Sequence, residues 1–102
     1  MEYNKSMVEI RKTETFERWL TGLRDRSTAA RIKSRIDRLQ LGLFGDARSV
    51  GEGVSEMRID YGPGYRVYFV QRGTKVVILL AGGDKRTQSR DIEKAKELAR
   101  ML

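Results

Sequence analysis

The chain is 102 residues long and carries a net charge of +7, so a single domain spanning residues 1–102 is expected, with one buried core and a polyanionic partner. It contains neither cysteine nor histidine, which excludes disulfide frameworks, thiolate nucleophiles, the usual zinc ligands and imidazole proton transfer; any catalysis falls to Lys, Arg, Tyr, Asp or Glu. The charge is uneven: residues 57–102 hold ten Lys and Arg against five Asp and Glu, and residues 1–56 hold eleven against nine.

In chain order, Met7-Val8-Glu9-Ile10-Arg11 alternates apolar and polar residues, the period of a half-buried strand at the start of a sheet. Thr13 suits a helix cap, with Glu14 and Glu17 near the positive end of the dipole and Phe16, Trp19, Leu20 and Leu23 on one face. Ser27 is the expected cap of a second helix, whose buried stripe is Ile32, Ile36, Leu39 and Leu43 and whose end suits Gly42. Arg31, Arg35 and Arg38 recur on its other side, either as a solvated face or as a guide for nucleic-acid phosphates.

The stretch GLFGDARSVGEG, residues 42–53, contains four glycines and reads as a loop. Three strands follow, Val54 to Asp60, Tyr65 to Gln71 and Lys75 to Ala81, and their short connections predict antiparallel hairpins. The third, apolar on both faces, is expected at the centre of the sheet. Gly82-Gly83-Asp84 breaks it, and Thr87 or Ser89 opens a last helix with Ile92, Ala95, Leu98, Ala99 and Leu102 on its apolar side. The fold class is therefore α+β, in the order β-α-α-β-β-β-α.

The residues that bear chemistry cluster in two places. Strand parity puts Arg66 and Tyr68 on one face of the strand after the Tyr61-Gly62-Pro63-Gly64 turn, and Glu56 and Arg58 on one face of the strand before it. Pairing in the natural register brings Arg58 and Arg66 together, either to solvate an open sheet face beside Glu56 and Asp60 or to bind an anion. Pro63 between two glycines specifies that turn and hence the register. The second cluster, GGDKRTQSRDI, delivers Asp84, Lys85 and Arg86 from a buried strand to a helix amino terminus. It is either a solvated loop with Asp84 as a cap or an anion site lacking a full phosphate-binding loop.

With VSEMRIDYGPGYRVYFV followed by an apolar strand and LLAGGDKRTQSRDIEKAKELA, the chain resembles the RelE/ParE toxin superfamily, and more narrowly its HigB-like addiction-module killer proteins. The resemblance implies a small antiparallel sheet flanked by helices, two amino-terminal and one carboxyl-terminal. It also implies a ribosome-dependent endoribonuclease that cuts messenger RNA in the cytoplasm and is silenced by an antitoxin, itself expected to carry a DNA-binding domain. By position, Arg66 is the arginine that binds the scissile phosphate, Arg58 a basic residue on the preceding strand, and Lys85 and Arg86 the basic residues after the last strand. Two positions depart from the pattern: Ile92 stands where messenger-cleaving relatives carry a tyrosine or histidine, and Glu56 where some carry a lysine.

Cleavage without a metal requires the 2′-hydroxyl to be deprotonated and aligned, the phosphorane oxygens to be neutralised and the 5′-oxygen to be protonated. Arg58 and Arg66 suit the second task because guanidiniums offer paired donors and stay charged. Lys85 suits electrostatic stabilisation or acid catalysis, and the base is left open among Glu56, Asp84 and Tyr68. Further RNA contacts are expected from Arg86, Gln88, Tyr68, Arg31 and Arg35. No cofactor or metal is expected, and no membrane partner either, since no stretch approaches the ~18 apolar residues of a span. A gyrase inhibitor of the ParE kind and a non-catalytic RNA-binding module are the competing readings.

Overall fold

The computed structural model describes residues 7–102. Its elements are β1 (Glu9–Lys12), α1 (Glu14–Thr21), α2 (Arg26–Gln40), β2 (Ala47–Gly51), β3 (Val54–Ile59), β4 (Tyr65–Arg72), β5 (Val76–Asp84) and α3 (Gln88–Arg100), with a single 3-10 turn at Lys85–Thr87 between the last two. The strands form one sheet in the order β1-β5-β4-β3-β2.

Local chemistry explains the helix ends. Thr13 caps α1, its hydroxyl oxygen accepting from the Phe16 N–H at 3.0 Å while the hydroxyl donates to the Leu80 carbonyl at 2.7 Å, which ties the helix start to β5. The cap of α2 is Asp25 and not Ser27, because its carboxylate accepts from both the Ser27 N–H and the Thr28 hydroxyl, at 3.0 Å each. That helix ends at Gln40, and Gly42 closes it as expected: at φ +81° its N–H reaches the Leu39 carbonyl while the Leu43 N–H reaches that of Arg38. This closure turns Leu43 out to solvent, so it does not extend the buried stripe; Leu102 is likewise exposed.

The sheet departs from expectation in three respects. It is mixed, because β1 runs parallel to β5 and only the other pairings are antiparallel. The middle position belongs to β4, with β5 one place in from the edge. And the glycine-rich stretch expected to be a loop contains an edge strand: β2 pairs with β3 through a tight turn in which Glu52 and Gly53 both take positive φ, 55° and 79°. An edge strand needs no apolar run, since one of its sides faces solvent, so periodicity is silent there.

Helices cover both faces. Phe16, Leu20, Ile32, Ile36 and Leu39 from α1 and α2 pack on Met57, Ile59, Val67, Phe69, Val77 and Leu79, while Ala95 of α3 packs on Val54, Tyr68, Val70, Leu80 and Ala81. The succession of Leu80 and Ala81 on one face breaks strand parity because β5 carries an extra residue there: Tyr68 pairs with Ala81 and Phe69 with Leu79. Beyond this bulge β5 runs on through Gly82, Gly83 and Asp84, where a break was expected, and pairs with Val67, Arg66 and Tyr65.

Candidate functional site

The β3–β4 ladder sets Arg58 directly opposite Arg66, and Arg66 in turn opposite Gly83 of β5. The connecting turn places Gly62 at φ +58° and Gly64 at φ +82°, conformations that L side chains resist. A methyl group on Gly64 would stand 3.7 Å from Arg66 Nη1 and 3.8 Å from Lys85 Cβ, so the turn lies between these two cations. Arg58, Arg66 and Lys85 all line one cleft of about 430 Å³, floored by the Gly62-Pro63-Gly64 turn and bordered by Asp46 and Asp60.

The three cations are held differently. Arg58 is half-exposed, and its Nε reaches Asp46 Oδ2 at 3.2 Å. Lys85, exposed at the end of β5, has no ion-pair partner among the described residues. Arg66 is buried, donating from Nη1 to the Gly64 carbonyl at 3.1 Å, with Nε 3.4 Å from Glu56 Oε2 but not aligned for a hydrogen bond.

Beneath Arg66 lies Glu56, with no solvent exposure at all. Its carboxylate accepts from Arg48 Nε at 3.1 Å, the Tyr68 hydroxyl at 3.1 Å and Gln88 Nε2 at 2.8 Å. Burial raises its pKa, but the hydrogen bonds from Gln88, Arg48 and Tyr68 and the Arg48 charge outweigh that, and the carboxyl is held below its ordinary value. Burial, the Glu56 charge and the bond to it push the Tyr68 phenol upward.

Several expected roles do not fit these positions. Glu56 as general base would have to take a proton from outside a sealed pocket while already saturated with donors. Tyr68 is wholly buried and offers no surface to RNA, and Gln88 has given its amide to Glu56. Asp84 caps the 3-10 turn and accepts from the Arg86 backbone and side chain at 2.9 Å each, and the Arg86 side-chain bond holds its carboxyl below the ordinary range, so it is a poor base. Arg86, thus paired, does not line the cleft. Arg35 donates to the carbonyls of Arg58 and Phe44 at 2.7 and 3.3 Å, a strut between α2 and the sheet. Arg31 lies over the Tyr61 ring in a neighbouring groove, and Ile92 packs against the core under α3.

Arg48 and Asp46, on and before the unexpected edge strand, are the site residues that sequence reasoning missed. The signal was the Gly51-Glu52-Gly53 stretch: read as a hairpin turn, it puts Arg48 opposite Glu56.

A mixed sheet with two helices on one face and one on the other, and a cationic cleft at its central hairpin, defines a small α+β protein with the fold of the RelE toxins. A free-state mutant of the E. coli toxin RelE superposes with a TM-score of 0.66 at 12% identity, covering 86% of this chain and 97% of that one. The RelBE2 toxin–antitoxin complex from Mycobacterium tuberculosis gives 0.61 at 20% identity, covering 78% and 99%. In sequence, residues 18–101 match the model for the phage derived protein Gp49-like family (DUF891), and the chain belongs to that family. It is also 50% identical over 95 residues to an uncharacterized protein of Haemophilus influenzae, covering 93% of this chain and 96% of that relative.

Proposed function

We propose that this chain is the toxin of a toxin–antitoxin pair, a single-domain HigB-like enzyme that cuts messenger RNA on the ribosome in the cytoplasm until its antitoxin covers the cleft. The observation that carries this reading is the convergence of Arg58, Arg66 and Lys85 on one open cleft. Three cations around a space of that size suit one phosphodiester and its neighbours, and charge-assisted donors gain strength where they are partly shielded from water.

In this reading Arg66, braced by Glu56 from behind, presents a fixed guanidinium edge to the phosphate. Arg58 and Lys85 are the adjustable partners that follow charge onto the phosphorane and the departing 5′-oxygen. Asp60 borders the cleft and has no cation partner among the described residues, so it is the carboxylate suited to accept the 2′-hydroxyl proton. The rest of the acceleration comes from alignment on the ribosome, which is worth roughly 7–11 kcal/mol when reactants are well oriented. An acidic antitoxin segment complements the same cations, in keeping with the +7 charge and with the antitoxin-bound state of the RelBE2 relative.

The test is a translation extract programmed with a defined message. Wild-type protein is expected to truncate it, and an Arg58→Ala/Lys85→Ala variant to leave it whole while folding normally. Intact message with wild-type protein overturns the reading, and trapped gyrase–DNA cleavage in a parallel supercoiling assay would replace it with gyrase inhibition.

A further inference from the structure

The cationic cleft continues past its hairpin. Ile59 and Asp60, which wall it on one side, also wall a second groove of about 300 Å³ whose far side is α2. In that groove Arg31 places its guanidinium carbon 4.2 Å from the centroid of the Tyr61 ring. Tyr61 is itself fixed, its N–H bonded to the Ile59 carbonyl at 2.9 Å and its ring packed against the core under α1 and α2. Arg31 is exposed and has no ion pair among the described residues. The contact its guanidinium makes is with the ring beneath it.

We infer that the Arg31–Tyr61 stack is a platform for one nucleobase of the RNA strand whose phosphodiester lies in the cleft, a subsite that rests on the RNA reading above. Unstacked bases of single strands are held on aromatic rings or guanidinium planes, and a guanidinium already held over a ring needs little reordering to receive one. Arg38, which also lines this groove and has no ion pair among the described residues, then meets the next phosphate. Arg35 takes no part, being committed to two carbonyls.

The experiment compares a labelled RNA dinucleotide, which spans only the cleft, with a hexanucleotide, using whole protein at low salt. Wild-type protein is expected to bind the longer probe more tightly, and Arg31→Ala to remove that gain, a loss of roughly five- to one-hundred-fold, with little effect on the dinucleotide. Arg31→Lys keeps the charge but has no plane to stack, so it is expected to lose most of the gain as well. Hexanucleotide affinity retained in Arg31→Lys, or equal affinity for the two probes, overturns the platform while leaving messenger cleavage standing. Binding of both probes that is indifferent to Arg58→Ala/Lys85→Ala overturns the cleft reading instead, and protein that binds neither probe overturns both.

Discussion

The position of Glu56 changes what Arg66 means. A buried carboxylate with three hydrogen-bond donors and a second guanidinium around it is costly to isolate, so Arg66 and Glu56 brace one another, and Arg66→Ala would unsettle the fold together with any chemistry. Arg66→Lys is the cleaner functional probe. Glu56→Gln retains the shape of the site but sets an amide among donors that already fill it, and is expected to destabilise by about 3 kcal/mol, read as a shift in urea midpoint at unchanged slope. The acid limb of stability depends on the same group. Because the folded pKa of Glu56 lies below its ordinary value of 4.5, its contribution is fully present above that value and is lost as pH falls through the folded one. Wild-type stability is thus expected to decline below pH 4.5 more steeply than that of Glu56→Gln; parallel acid limbs in denaturation curves would contradict this. Strand parity put Glu56, Arg58, Arg66 and Tyr68 on one face correctly. It could not say that α3 would seal half of that face, which made Glu56 and Tyr68 interior while leaving Arg58 at the rim.

Among the elements, β5 governs how the cleft is assembled. Its bulge at Leu80 turns Gly82 toward α1 and Gly83 toward α3, where a Cβ would overlap the Trp19 ring and the Asp91 carboxylate respectively. The two glycines, expected to end the strand, instead let a helix on each side approach the ladder beside Arg66. Gly82→Ala is therefore expected to cost about 1–3 kcal/mol, since the Trp19 ring must move within a packed face. Thermal unfolding checks this, and an unchanged midpoint would show that α1 tolerates displacement. The helices were legible because their apolar stripes recur at helical spacing and α1 and α2 carry polar caps. The edge strand β2 was not, since its register comes from a tight turn and from Arg48 meeting Glu56 across the ladder.

For the whole molecule, the sheet is covered on both faces, and the cleft opens at the β3–β4 hairpin end. Among the described residues no helix is long and apolar enough to cross a membrane. If the cleft and the α2 groove follow a single strand, RNA affinity falls steeply with salt, and the slope of log affinity against log salt shrinks by about 0.7 for each phosphate contact removed. Arg58→Ala/Lys85→Ala is expected to flatten it by about 1.4, measured by titration at several salt concentrations; an unchanged slope would place the phosphates elsewhere. By itself the sequence determined the three helices, the hairpin strands and the pairing of Arg58 with Arg66, because periodicity and turn chemistry are local. Tertiary structure alone decided which of the charged side chains remain available. Burial depends on the element that arrives from elsewhere in the chain, and it was α3, packing across the strand face, that turned one set of polar residues into an interior brace and left the others at the rim of the cleft.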